Sequence, residues 1–227
     1  MQSAYRSTIT PVARTLKNKY KDFRHNNKRN SLNELLFILC SVKRSQKVYE
    51  RAYRSIKSNY PTFRSLSKAT TQDFEKKINW GGLQKQKSRS LTLLIGSVTQ
   101  RFGKLTLAPL RRMSEADCER FLCSLPGVGK KVARCVMLYS LDMQVFPVDA
   151  HCWRIANRLG WIKKKAEQKT CSPKAMDELQ TRIPPRLRLS LHVNMVSLGR
   201  EICTALLPKC SICPIEDHCP KVSASGC

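Results

Sequence analysis

Carboxylates are scarce in this chain. Its 227 residues carry 16 Asp and Glu against 42 Lys and Arg, a formal net charge of +26. The excess runs along the whole length and is not confined to a tail. Solubility alone is excluded as its reason, because a much smaller charge serves that purpose. The balance implies a polyanionic partner, most simply DNA or RNA. An anionic membrane surface is the lesser alternative, since no strongly amphipathic basic helix ending in Trp or Phe is present. Long apolar runs are missing as well. None approaches the ~20 residues of a membrane span, so no membrane partner is expected. Alternation with period two never persists long enough for a strand, and there is no internal repeat or low-complexity tract. With 41% hydrophobic residues arranged at helical spacing, the expected fold is all-α with a real core. An even cysteine count is also lacking. Eleven cysteines without a signal peptide argue against a secreted disulfide framework and for an intracellular protein.

Residues 1–30 are basic, with Asp22 their only carboxylate. By composition they read either as an organelle transit peptide or as a basic helix that docks on the fold and faces DNA. Val12, Leu16 and Tyr20, spaced by four, support the second. Ser31 then reads as an N-cap with Glu34 completing a capping box, ahead of the stripe Leu32, Leu35, Leu36 and Leu39. Further helices are expected at about 45–58, after Thr70 or Thr71 with Phe74 and Ile78 inward, and through Leu91, Leu94, Ile95, Val98 and Phe102 to Gly103. Trp80-Gly81-Gly82-Leu83 is a turn.

The densest signal is Leu125-Pro126-Gly127-Val128-Gly129-Lys130-Lys131-Val132-Ala133. A helix over about 114–124, capped by Ser114, precedes it. Val132, Cys135, Val136 and Tyr139 follow at i, i+3, i+4 and i+7, in a helix apolar nearly all round and therefore central. Gly127 and Gly129 allow a tight hairpin, and the N–H groups opening the second helix can hold a phosphate. An ordinary helix–turn–helix connection is the plain alternative. Lys130 and Lys131 diverge by about 100° around the helix, so they serve different ends.

Farther on, Val145-Phe146-Pro147-Val148 is extended. Asp149 opens a helix that closes at Gly160. Residues 162–174 read as an exposed polar loop, and Pro184-Pro185 interrupts the next helical stretch. A last helix, about 186–203, aligns Leu187, Leu191, Met195, Leu198 and Ile202. Cys203, Cys210, Cys213 and Cys219 follow with the spacing C-x6-C-x2-C-x5-C. Four thiolates so close in sequence hold a metal centre, either zinc or an iron–sulfur cluster. The longer steps suit a cuboidal cluster better, without settling the choice. The other cysteines (Cys40, Cys118, Cys123, Cys135, Cys152, Cys171, Cys227) read as core filler.

Together these residues resemble the endonuclease III family of helix–hairpin–helix (HhH-GPD) DNA glycosylases. The hairpin 125–133, Val148-Asp149-Ala150-His151, and Leu198-Gly199-Arg200 through Cys219 occur in the family's order. The likeness spans about 31–220. A shorter stretch, Phe146 to Trp161, is also similar to plant 5-methylcytosine DNA glycosylases. The resemblance implies two helical domains with the active site in the cleft between them. One is a six-helix barrel over 31–143 with its hairpin at 114–142. The other is an iron–sulfur domain of 144–227 joined by the basic segment 1–30. It implies a [4Fe–4S] cluster on Cys203, Cys210, Cys213 and Cys219. It also implies a monomer acting on double-stranded DNA in base excision repair.

The activity implied is that of a bifunctional glycosylase and AP lyase on a damaged or modified pyrimidine. Lys131 attacks the anomeric carbon of an extruded nucleotide, and Asp149 stabilises the cation-like sugar. Leu125, Gly127, Val128, Gly129 and Lys130 contact DNA. Leu83 wedges into the duplex, and His151 meets substrate or phosphate. Lys43 stands where the family has a gap-filling Gln. The alternatives are a monofunctional glycosylase and a non-catalytic DNA-binding protein on the same scaffold.

Overall fold

Apolar residues recurring at three and four positions build helices throughout. The computed structural model describes residues 4–42, 44–80, 82–162 and 170–220, and among these no strand occurs. The α-helices are α1 (Ala4–Tyr20), α2 (Ser31–Ser41), α3 (Gln46–Asn59), α4 (Phe63–Ser67), α5 (Thr71–Lys77) and α6 (Gln84–Phe102), then α7 (Glu115–Ser124), α8 (Lys130–Ser140), α9 (Ala150–Arg158), α10 (Pro173–Arg182) and α11 (Arg188–Glu201). The chain divides into two compact units, one of residues 1–26 and 144–227, the other of residues 27–143. No helix among the described residues is long and apolar enough to cross a membrane.

In the unit of 27–143, α8 is central. Every residue from Val132 to Ser140 is buried, and the helix packs on α2 and α7. The stripe of α2 that meets it includes Leu32, Leu35 and Leu36, all nearly inaccessible. Leu39 of that stripe is only half-buried, whereas Ile38 and Cys40 are buried.

The start of α2 departs from the sequence reading. Its N-cap is Asn30, whose side chain accepts from the Asn33 N–H at 3.0 Å. Ser31 is already helical, and Glu34 makes no capping box. Glu34 instead reaches back to accept from the backbone N–H of Lys28 and the side-chain amide of Asn27. One residue of register decides this: capping by Asn30 turns Glu34 inward, where it is 0% exposed.

Burial pushes the Glu34 carboxyl from the usual 4.5 up to about 7, against the opposing pull of those hydrogen bonds and of the Lys28 and Lys131 charges. A carboxyl raised on folding favours the folded state in its protonated form. Its contribution is complete below about pH 4.5 and is lost as pH rises through about 7. That difference corresponds to about 3 kcal/mol. The urea midpoint of the wild type should therefore fall across this window relative to that of Glu34→Gln. Parallel profiles for the two proteins would remove Glu34 as the cause.

The unit of 1–26 and 144–227 is built on α11, buried all round from Leu191 to Gly199. Helix α1 docks against α11 with Ile9, Val12, Ala13 and Leu16, none more than 3% exposed. Asp22, the lone acid of the N-terminal stretch, locks the end of that segment. It accepts from Ser190 Oγ at 2.6 Å and Asn194 Nδ2 at 2.8 Å. Trp161, wholly buried, donates from Nε1 to Thr8 Oγ1 at 2.9 Å. Residues 163–169, most of the expected polar loop, lie outside the described residues.

Candidate functional site

The hairpin in the unit of 27–143 forms from its own backbone. The Leu125 N–H closes α7 on Leu122 O, and the Val128 N–H returns to Leu125 O, each at 3.1 Å. Gly127 takes φ +79°, a conformation that a Cβ resists. Gly129 caps α8 and offers no side-chain acceptor to the first N–H groups. A ligand anion can meet these groups at the positive end of the helix. The side chains of Leu125 and Val128 are buried at 3% and 5% exposure. Any contact they make with a ligand is therefore through backbone.

The two lysines separate as their angular spacing requires. Lys130 pairs with Glu119 of α7 at 3.3 Å, and Glu119 also holds the buried Arg134 at 2.6 Å. Lys130, expected at the DNA backbone, is thus committed inside the protein in this structure. Lys131, half-buried, lies within electrostatic reach of Glu34 on α2.

The turn before α6 carries an exposed apolar side chain on strained backbone. Leu83 sits in the left-handed region at φ 55°, ψ 36°, and is 55% exposed. A β-carbon in that region costs ~1–2 kcal/mol, so its surroundings must over-determine it. They do. Trp80, buried, donates from Nε1 to Ser88 Oγ at 3.0 Å, and Gln84 Nε2 donates to the Ile78 and Glu75 carbonyls. Leu83 is therefore not packed away under Trp80. Lys43, expected at the gap-filling position, lies outside the described residues. Its neighbour Arg44 was not singled out from sequence, and it lies across the face of Gly82.

In the other unit, Asp149 caps α9. Its Oδ1 accepts from the Cys152 N–H at 2.8 Å. The segment before it is pinned by buried His192, whose Nδ1 lies 3.1 Å from Pro147 O and 3.4 Å from Cys152 Sγ. His151 packs on Gly199, where an added β-carbon would stand 2.6 Å from the His151 Cβ. Its Nδ1 meets Arg154 Nη2 at 3.1 Å. His25 joins this group through Ser197 Oγ and Arg200 Nη1, both at 3.1 Å. Burial, reinforced by Arg200, holds the His25 imidazole below its usual range. Burial also lowers His151, with Arg154 and Arg200 adding to it and Asp149 opposing.

The four cysteines of the C-terminal loop belong to the same unit. Cys203, Cys213 and Cys219 pack against its core. Arg158 Nη1 donates to Cys203 Sγ at 3.0 Å, and Arg154 Nε to the Cys203 carbonyl at 2.8 Å. Burial pushes the Cys213 thiol up, and the nearby Cys203 and Cys219 add to that. Among the described residues no group of three or more His, Cys, Asp or Glu is gathered as a single metal ion requires. Of the remaining cysteines, Cys40, Cys118, Cys135 and Cys152 are buried as expected, but Cys123 is exposed and Cys171 half-exposed. Cys123 faces outward because α7 buries only the Cys118 and Leu122 side of its surface.

Residues 38–181 match the model of the HhH-GPD superfamily base excision DNA repair proteins. A putative DNA glycosylase of Arabidopsis thaliana is 30% identical over 196 residues, 84% of this chain and 65% of that protein. The chain thus spans slightly under two thirds of that relative's length. Endonuclease III of Thermotoga maritima is 29% identical over 170 residues, 75% of this chain and 73% of its own. The fold is similar to that of a solved non-covalent endonuclease III–DNA complex. The TM-score is 0.80 at 20% identity, over 96% of this chain and 97% of the other.

Proposed function

The chain belongs to the HhH-GPD superfamily of base excision DNA repair proteins, and from that membership we propose that it is a bifunctional DNA glycosylase and AP lyase acting on damaged or modified pyrimidines. The observation that carries the lyase half is Lys131, a half-buried lysine in the first turn of α8, directly behind the hairpin. In the proposed reaction the duplex binds through phosphates, aided by the surplus of cationic side chains and the N–H groups at the head of α8. The target nucleotide leaves the stack. The neutral Lys131 amine attacks C1′, and the C1′–N bond breaks with its electron pair going to the base. Ring opening gives an imine between Lys131 and the sugar. Loss of a proton from C2′ then expels the 3′ phosphate. Asp149 supplies the negative charge that a cation-like sugar needs.

The test is a panel of duplexes bearing oxidised pyrimidines, uracil, thymine mismatches, 5-methylcytosine and abasic sites. Base release and strand cleavage are scored separately. Both are expected on at least one pyrimidine lesion. Base release without cleavage would make the protein monofunctional. No turnover on any duplex would leave a DNA-binding protein.

We assign Cys203, Cys210, Cys213 and Cys219 to a [4Fe–4S] cluster. Cys203 and Cys219 lie close enough to Cys213 to help push its thiol up, and Arg158 donates to the Cys203 sulfur. That donor set suits thiolate ligation of a cluster. The cluster would clamp the loop against the unit's core and takes no part in the steps above. Purified protein is expected to carry about four iron and four sulfide ions per chain. Cys213→Ser should lose them together with the visible absorbance. One zinc ion per chain in place of iron would overturn the assignment.

A further inference from the structure

The apolar stripe that seats α1 on its unit ends in Tyr20. Ile9, Val12, Ala13 and Leu16 are buried in the core of that unit, and Tyr20 packs against the same core, as do Cys203, Cys213 and Cys219. Tyr20 is half-buried, but its hydroxyl is fully buried and meets no hydrogen-bond partner among the described residues. A buried hydroxyl with its hydrogen bond unmade is costly, so it marks a place where an acceptor belongs. Glu201 and Cys213 are the anionic groups within its electrostatic reach. Burial chiefly, with these two adding to it, pushes the hydroxyl up to about 12, so it keeps its proton and remains a donor near neutral pH. Glu201 is exposed and open to water, which leaves the sulfur side as the buried one. Arg158 shows that a sulfur of this set takes a hydrogen bond from a neighbouring helix, since its Nη1 donates to Cys203 Sγ at 3.0 Å.

The sulfurs of an iron–sulfur cluster accept hydrogen bonds, and each such bond favours the more negative, reduced state. We propose that the Tyr20 hydroxyl donates to a cluster sulfur at the Cys213 corner and thereby raises the reduction potential of the cluster. This inference rests on the assignment of Cys203, Cys210, Cys213 and Cys219 to a [4Fe–4S] cluster made above. Tyr20 contributes a dipole and neither gains nor loses an electron. The basic N-terminal helix then has a task besides docking, because its last residue tunes the cofactor.

The experiment titrates the iron-loaded full chain at an electrode, one electron per cluster, for the wild type, Tyr20→Phe and Tyr60→Phe. Tyr20→Phe keeps the ring and removes only the donor. At a fixed applied potential its cluster is expected to be about tenfold less reduced, a midpoint ~59 mV lower for one electron. Its iron content and visible absorbance should be retained. The Fe–S stretching bands of the wild type should shift in deuterated water by more than those of Tyr20→Phe. Tyr60, in the other unit, also carries a buried hydroxyl without a partner among the described residues. Tyr60→Phe is therefore the control, and its potential should match the wild type. The effect of Tyr20→Phe should persist in a Glu201→Gln background. Its disappearance there would give the hydroxyl to Glu201 and overturn the proposal. So would equal potentials for the wild type and a fully loaded Tyr20→Phe, or an equal shift from Tyr60→Phe. Loss of iron from Tyr20→Phe would make the hydroxyl a requirement of assembly and end its role as a tuner. Zinc in the wild type would sink the cluster assignment and this inference with it, whereas iron in both proteins with an unmoved potential sinks this inference alone.

Discussion

Lys131→Ala is expected to abolish the covalent protein–DNA adduct that borohydride traps from the wild type, a loss of at least ~10³-fold in trapped product. Borohydride reduces an imine, and only an amine in contact with C1′ forms one. Removing the amine removes the intermediate, whatever else remains bound. Affinity for the duplex should change only a few-fold, because many phosphates are contacted by the basic surface and only one contact is deleted. Lys130→Ala is the internal control. Its side chain is paired with Glu119 and is 19% exposed, so it is held away from a reacting sugar. That variant should trap as the wild type does, with a modest loss of stability as Glu119 and Arg134 lose a partner. The opposite pattern, trapping lost with Lys130 and kept with Lys131, would transfer the nucleophile to the wrong neighbour and end the present assignment.

The all-helical class was legible because apolar spacing is a property of the chain alone. The hairpin was legible because Gly127 needs a positive φ and Gly129 caps a helix that is buried from Val132 onward. What failed to show depended on which partner a polar group takes in three dimensions. Asn30 and Ser31 are both good caps, and a single residue of register between them sends Glu34 into the core. Helix α4 was missed because its capping box uses Thr62 with Ser65, where the familiar pattern has Glu or Gln at the third position. Lys130 looked like a phosphate ligand because Glu119, eleven residues earlier in sequence, becomes its neighbour only once α7 folds back on α8. Arg44 was invisible for a related reason: the glycine that makes room for it lies 38 positions away. At the candidate site the sequence therefore indicates residue types well and their pairings poorly.

Asp149→Asn is expected to lower base excision by ~10²–10³-fold while leaving the melting temperature almost unchanged. The two effects separate because the cap and the proposed catalytic role of Asp149 make different demands. As an N-cap it needs only an acceptor oxygen for the Cys152 N–H, now held at 2.8 Å. Asparagine caps about as well as aspartate, so the amide keeps that bond. Stabilising a cation-like sugar needs a full negative charge, and the amide has none. Asp149→Ala loses both, and should additionally cost ~1 kcal/mol of stability. The surroundings preserve the charge near neutral pH. His25 and His151 are both held below their usual range, chiefly by burial, so neither imidazole carries a neutralising positive charge there. As pH falls far enough to protonate them, the field of Asp149 is offset and excision should decline. Single-turnover rates and melting curves, measured on the same preparations of both variants, decide the matter. If Asp149→Asn excises as fast as the wild type, the carboxylate is a helix cap and nothing more. If instead Asp149→Asn melts as early as Asp149→Ala, any rate loss reflects a damaged α9, and the electrostatic role is unsupported.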